Sequence, residues 1–176
     1  MDQVVAVKLI EQYISSQRGT HWLTATSIRP AWKYAFYNPA KKNSDGSIVI
    51  KRENFMLILY AVLILFFSIL FVVDAVYNWL YISALAFAVL IIIKYYYYDK
   101  VMIVTATGIT FNSCTYHWKD YGGAFISVTS LHKYPEAHLI LIDNAYRITS
   151  INITDMGKLN TIGTAIRDLQ PVGWKP

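Results

Sequence analysis

The sequence predicts a membrane α+β protein, in which a two-helix transmembrane hairpin precedes a cytoplasmic antiparallel β-sheet domain with a C-terminal helix. Two observations lead to this prediction. Residues 55–73 and 75–93 are uncharged, almost wholly apolar runs, separated by the single charged residue Asp74. Residues 101–152 then alternate between apolar and polar positions, and turn-forming residues interrupt them at short intervals.

The two apolar runs are each long enough to cross a bilayer as a helix. At 1.5 Å per residue, each extends about 28 Å, close to the thickness of the hydrocarbon core. Because the connection around Asp74 is short, we expect the two helices to be antiparallel. The chain therefore divides into a cytoplasmic N-terminal segment (1–54), a transmembrane hairpin (55–93) and a cytoplasmic C-terminal domain (94–176).

Cations on both outer flanks of the hairpin orient it, because cytoplasmic loops are enriched in lysine and arginine. This rule places both termini in the cytoplasm and the Asp74 turn outside, so that the chain crosses the membrane twice. The predicted topology determinants are Lys41, Lys42, Lys51, Arg52, Lys94 and Lys100.

Aromatic side chains near the ends of the runs are typical of a membrane–water interface. The predicted interface residues are Tyr77, Trp79, Tyr81, Tyr95, Tyr96, Tyr97 and Tyr98. A binding patch is the alternative for the four-tyrosine run. Ala84 and Ala88 are four residues apart, and small residues at this spacing allow close helix packing, either within the hairpin or in a homo-oligomer.

The N-terminal segment opens with a predicted amphipathic helix that packs against protein. Asp2 is placed to cap it, Gly19 is placed to end it, and its apolar stripe comprises Val4, Val7, Ile10 and Ile14. Residues 33–37 and 47–51 flank a stretch rich in turn formers. These two segments form a hairpin, or one of them adds a strand to the C-terminal sheet.

The C-terminal domain is predicted to begin with a β-hairpin that turns at Gly108, where glycine tolerates a positive φ. Alternation places Ile109 and Phe111 on one face, and later Cys114, Tyr116 and Trp118 on one face. Cys114 is expected to be buried. Residues 134–137 are interpreted as a turn and residues 143–144 as a hairpin tip, so that short antiparallel strands follow one another.

A final amphipathic helix is predicted to cover the sheet. Thr154 or Asp155 caps it, Pro171 ends it, and Gly163 suggests a close approach to the sheet. Its apolar stripe comprises Met156, Leu159, Ile162, Ile166 and Leu169. The predicted core of the domain consists of Ile109, Phe111, Trp118, Leu139, Leu141, Leu159, Ile162 and Ile166.

The residue inventory argues against enzymatic, metal-dependent and nucleic-acid functions. The net charge of +5 comes from dispersed cations, without an Arg/Lys-rich helix or a basic-aromatic motif. His21, His117, His132 and His138 lack metal-ligand spacing, and no nucleophile signature surrounds Ser127, Ser130 or Cys114. One cysteine allows no intramolecular disulfide. We therefore expect no cofactor and no catalysis, and we expect no cleavable signal peptide.

Strands followed by one C-terminal helix outline a pleckstrin-homology-like (PH-like) domain, and the chain resembles the bacterial YcxB-like and related PH-like membrane proteins. The matching positions are residues 104–111 (VTATGITF), Trp118, residues 139–143 (LILID) and residues 155–169. The resemblance covers about 55–170. It implies a membrane hairpin ahead of a PH-like domain, and the family has no common catalytic residue to carry over.

The predicted function is that of a non-enzymatic inner-membrane protein, integral in membrane lipid, whose PH-like domain presents a sheet edge or loops to a protein partner. One alternative is a bacterial conflict or defence component, either an immunity protein or a membrane-permeabilising effector. A small subunit of an envelope or transport complex is the other. Lipid recognition by the domain is a subsidiary prediction, which would need clustered cations.

Overall fold

The structure, a computed structural model, describes residues 3–18, 26–52, 61–69, 78–97, 100–131 and 134–174. Its helices are α1 (Gln3–Arg18), α2 (61–69), α3 (Asn78–Tyr97) and α4 (Leu159–Leu169). Its strands are β1 (Thr26–Pro30), β2 (Ile48–Lys51), β3 (Val101–Val104), β4 (Gly108–Phe111), β5 (Cys114–His117), β6 (Tyr121–Leu131), β7 (Tyr134–Asp143) and β8 (Ile148–Asn152). Three 3-10 turns lie at Ala31–Tyr34, Trp118–Asp120 and Val172–Trp174. The chain divides into two compact units, one of residues 1–51 with 101–176 and one of residues 52–100.

The larger unit contains two four-stranded antiparallel sheets. Sheet A has the strand order β1-β6-β7-β8, and sheet B has the order β2-β3-β4-β5. Strand β1 reaches sheet A by pairing with β6, and β2 reaches sheet B by pairing with β3. The N-terminal segment therefore completes both sheets, and the prediction that residues 47–51 add a strand to the C-terminal part is confirmed.

The inner hydrophobic cluster lies between the two sheets and is closed by α4. Alternate residues on each strand point into it, as the pleat requires. Its buried members include Ile109, Phe111, Trp118, Leu139, Leu141, Ile162 and Ile166, and Leu159 packs against it partly buried. These are the eight residues that the sequence analysis assigned to the core.

Helix α4 starts later than predicted and approaches a different element. Its N-cap is Lys158, which makes no side-chain capping hydrogen bond. The Thr154 hydroxyl instead accepts a hydrogen bond from the amide of Ala137 (3.1 Å), and so it is not placed to cap the helix. A Cβ on Gly163 would collide with the backbone of Ala31 and Tyr34, so this glycine permits close packing on the first 3-10 turn rather than on a sheet.

The outer hydrophobic cluster lies on the other face of sheet A, beneath α1. Ala6 and Ile10 of the helix are fully buried there against Phe125, Ile140 and Ile142. The predicted N-terminal helix is therefore confirmed, and it packs against protein. Asp2 and Gly19, its predicted ends, lie outside the described residues.

Three local predictions in the β-domain are wrong. The β3–β4 hairpin is present and its turn is closed by hydrogen bonds between Thr105 and Gly108, but Gly108 does not have a positive φ. It begins β4, where a Cβ would collide with the carbonyl oxygen of Tyr116 on β5. Residues 134–137 belong to β7 and pair with β6 instead of turning, and Pro135 lies near the strand's start, where proline is tolerated. Cys114 is exposed because β5 is an edge strand of sheet B.

In the part of the chain that the structure describes, no helix combines the length and apolar character that crossing a membrane requires. The described part of α2 comprises residues 61–69. Helix α3 starts at Asn78 and carries Lys94 in its last turn. The predicted transmembrane hairpin, the two-pass inner-membrane localisation and the membrane α+β fold class are therefore contradicted. Residues 55–60, 70–73 and 75–77, which belong to the predicted spans, lie outside the described residues.

The smaller unit contains α2 and α3, and many large apolar side chains on both helices are exposed. Phe66, Trp79, Phe87 and Leu90 are each more than half exposed. Ala88 is buried and Ala84 partly buried. A contiguous exposed apolar surface commonly marks a site of association. The homo-oligomer nevertheless stays a prediction.

Candidate protein-binding groove

A groove of about 550 Å³ lies between residues 36–41, strand β2 and helix α4. We call it the aromatic groove, because Phe36 and Tyr37 form its most exposed edge. The chain reaches this position from the 3-10 turn at Ala31–Tyr34, after which Ala35 is extended. Tyr37 and Asn38 then form a bend, and Pro39 disfavours helical geometry at Asn38, so the 3-10 turn does not continue as a helix.

Helix α4 fixes the backbone of residues 36–40 through polar side chains. The amide of Phe36 donates to the Thr164 hydroxyl (2.8 Å), and the amide of Ala40 donates to the Asp168 carboxylate (2.7 Å). The Arg167 guanidinium donates to the carbonyl oxygens of Phe36 and Asn38. Four backbone groups of the segment are thus tied to one face of α4.

The anchoring side chains are themselves held in place. Thr164 is buried and donates its hydroxyl proton to the carbonyl oxygen of Asn160 (2.6 Å), as threonines within helices often do. Arg167 Nε donates to Asp168 (2.8 Å), and the two side chains are 27% and 12% exposed. Because each anchor has a second partner, the segment has one defined conformation.

The anchored segment presents aromatic side chains to solvent. Tyr37 is 99% exposed and Phe36 is 47% exposed. Val49, on the outward face of β2, adds apolar surface at 39% exposure. Aromatic residues held in a fixed backbone are enriched at protein interfaces, since binding then costs little conformational entropy.

Cations surround the groove. Lys41 lines it, Lys42 follows, and Lys51 lies on the same exposed face of β2 as Val49. Nearby Asp45 accepts hydrogen bonds from the hydroxyl and amide of Ser47, and this lowers the pKa of its carboxyl. Because Arg167 and Asp168 balance each other, three lysines against Asp45 leave the rim positive.

These lysines include three of the six predicted topology determinants, and the structure places them in one region of the larger unit. Of the others, Arg52 and Lys100 lie at the boundaries of the smaller unit, and Lys94 lies in α3. Among the predicted membrane-interface aromatics, Trp79 is exposed on α3, and Tyr81, Tyr95, Tyr96 and Tyr97 are helical. Tyr77 and Tyr98 lie outside the described residues.

Sequence reasoning missed the residues that build the groove. Residues 33–37 were interpreted as a strand, whereas they form a 3-10 turn and the start of the anchored segment. The sequence of α4 contains an indication of these anchors, because Thr164 and Asp168 are four residues apart and therefore share one face of the helix. An asparagine–proline pair upstream indicated a segment that does not continue as a helix.

The structure gives no sign of a metal centre among the residues it describes. His117 is exposed on β5, and His138 pairs with neighbours on sheet A. His21 and His132 lie outside the described residues.

Comparison with family models, with characterised proteins and with solved structures found no match to this chain. The resemblance to the YcxB-like proteins therefore stays a prediction from sequence, as do the two alternative functions.

Proposed function

We propose that this protein is a non-enzymatic binding module whose aromatic groove holds an extended, acidic segment of a partner protein. The observation that supports it best is the anchoring of residues 36–40 to α4, which leaves Tyr37 almost fully exposed on a rigid backbone. An exposed tyrosine contributes no burial energy to the fold, but at an interface it supplies a large contact area.

The chemistry of the groove favours an acidic segment with apolar side chains. Phe36, Tyr37 and Val49 offer apolar contacts, and Lys41 and Lys51 lie beside them. Complementary charge increases association rates and selects among partners. Strand β2 is an edge strand, and a partner in extended conformation can add to such an edge through backbone hydrogen bonds.

The test is selection of a displayed random peptide library on the full chain, followed by titration of the enriched peptides. We expect enrichment of acidic peptides with aromatic or aliphatic residues. Tyr37→Ala should weaken their binding about tenfold. The matched control is Tyr146→Ala, which removes a half-exposed tyrosine from the β7–β8 hairpin and should leave binding unchanged.

A second comparison isolates the charge. The Lys41→Gln/Lys42→Gln variant should weaken binding, and raising the salt from about 0.1 M to 1 M should remove most of that difference. Lys8→Gln/Lys119→Gln changes the net charge equally and should have little effect. If the selected peptides bind all of these variants alike, the aromatic groove is not the binding site.

A further inference from the structure

The outer face of sheet A changes from apolar to polar along its strands. Helix α1 covers Phe125, Ile140 and Ile142. Beyond them lies a cavity of about 270 Å³, lined by Ser127 and Thr129 of β6, by Glu136 and His138 of β7, and by Ser150 of β8. Tyr13 and Ile14 of α1 border it, and Ile140 lies beneath. We call it the polar cavity; it lies within the larger unit, and the aromatic groove shares no lining residue with it.

Strand register places these polar residues side by side. Ser127 lies opposite His138, Thr129 lies opposite Glu136, and Ser150 lies opposite Ile140. Residues two apart on a strand share a face, so the lining is continuous across three strands.

Ser127 is the unusual member of this set. Its side chain is buried at 1% exposure, and its hydroxyl lacks a hydrogen-bond partner among the residues that the structure describes. An unpaired buried hydroxyl costs about 1–3 kcal/mol, so such groups are rare in folded proteins. Its neighbour Thr129, by comparison, lies 3.4 Å from the hydroxyl of Thr26.

The remaining polar groups define the charge of the cavity. His138 Nδ1 lies 3.2 Å from the Ser150 hydroxyl, and its Nε2 lies 4.0 Å from the Glu136 carboxylate. Of the described residues that line the cavity, Glu136 carries a carboxylate and none is a lysine or arginine. The Glu136 carboxylate is therefore the group of this lining that can bind a cation.

We propose that the polar cavity binds a small organic ammonium ion, with its nitrogen between the Glu136 carboxylate and the Ser127 hydroxyl. The ammonium protons would supply the donor that Ser127 lacks, and the apolar body would lie against Ile14, Ile140 and the Tyr13 ring. A cation also gains from contact with an aromatic face. The volume, at the lower end of the range for ligand pockets, limits the occupant to a small molecule.

The experiment titrates the full chain with benzylamine and cyclohexylamine, observed by ligand saturation-transfer NMR and by protein chemical shifts. Benzyl alcohol and benzoate serve as neutral and anionic counterparts of similar shape. We expect both amines to bind. Benzyl alcohol should bind about tenfold more weakly than benzylamine, and benzoate should not bind. Shift changes should concentrate at residues of β6 and β7 that line the cavity.

Variants of the two anchoring side chains complete the test. Glu136→Gln should weaken amine binding about tenfold, and Ser127→Ala should weaken it several-fold without lowering the melting temperature. Glu11→Gln removes an exposed carboxylate from α1, outside the cavity, and should leave binding unchanged. The proposal is overturned if neither amine binds at millimolar concentration, if benzoate binds as well as benzylamine, or if Glu136→Gln and Glu11→Gln behave alike.

Discussion

The two hydrophobic clusters on opposite faces of sheet A are closed in different ways. The inner cluster is enclosed by sheet B, α4 and the Trp118 ring. The outer cluster is smaller and is covered by one helix, α1, over part of the face. Polar side chains such as Ser127 and Thr129 are buried beside the outer cluster. A face covered by a single helix leaves room for a cavity, whereas a face packed against a second sheet fills with apolar side chains.

The largest effect should come from the inner cluster, at Trp118. Its ring is 3% exposed, packs edge-on against Trp174 (5.3 Å between ring centroids) and donates a hydrogen bond to the Thr105 carbonyl (2.9 Å). Trp118→Ala should lower the free energy of unfolding by about 3–5 kcal/mol, because it leaves a cavity. Urea denaturation of the full chain measures this. The half-buried Trp32 is the control, and an equal loss in Trp32→Ala would show that Trp118 is not specially enclosed.

A matched pair on β7 compares the two clusters directly. Leu139 faces the inner cluster and Ile140 faces the outer one, and each residue is at most 1% exposed. We expect Leu139→Ala to cost about 3–4 kcal/mol and Ile140→Ala about 2–3 kcal/mol, since α1 borders an open cavity into which the site can relax. The same denaturation assay applies. Equal costs would mean that the outer cluster is as tightly closed as the inner one.

The third prediction concerns the buried hydroxyl beside the outer cluster. Ser127→Ala removes a hydroxyl that has no described partner, so it should raise the free energy of unfolding by about 1 kcal/mol in the absence of ligand. The control is Thr164→Val, which removes a buried hydroxyl with two hydrogen bonds and should destabilise the protein. A destabilising Ser127→Ala would indicate that this hydroxyl has a partner in solution.

The smallest effect is expected at the β7–β8 hairpin, which lies outside both clusters. The Asp143 carboxylate accepts hydrogen bonds from the amides of Arg147 and Ala145 and from the Arg147 side chain, and these lower the pKa of its carboxyl. Its contribution to stability is therefore present above the unfolded pKa of about 4 and is lost as the pH falls through the lower folded pKa.

Thermal unfolding between neutral pH and about pH 2 tests this point. Asp143→Asn should lower the melting temperature at neutral pH, where the carboxylate contributes to stability, and should change it little near about pH 2, so that the acid part of the stability profile becomes flatter. An unchanged acid profile would show that other carboxyl groups control it. Asp120→Asn, at an exposed carboxyl on the 3-10 turn, provides the reference.

Local patterns predicted several elements well. Alternation in residues 108–111 placed Ile109 and Phe111 in the core, and Asp143 with Asn144 marked a real hairpin between β7 and β8. Helix α4 ends at Leu169, two residues before the predicted proline stop. These features depend on backbone geometry and on residues that are close in the chain, so the sequence is sufficient to predict them.

Local patterns failed where a distant contact competes. Thr154 has the chemistry of a helix cap, yet its hydroxyl bonds to the backbone of Ala137. Pro135 indicates a turn, yet residues 134–137 pair with β6 and form part of a strand. Such competition depends on tertiary neighbours, so propensity alone does not decide it.

The sequence by itself determined which faces of the strands and helices are apolar, where the β7–β8 hairpin turns and where α4 stops. Only the tertiary structure decided that β1 pairs with β6, joining Thr26 to Thr129 across 103 residues, that α4 anchors residues 36–40, and that Ser127 is buried beside a polar cavity. The physical reason is that helix periodicity and turn geometry arise between near neighbours in the chain. A strand edge, in contrast, can hydrogen-bond to any other strand that the fold brings within reach.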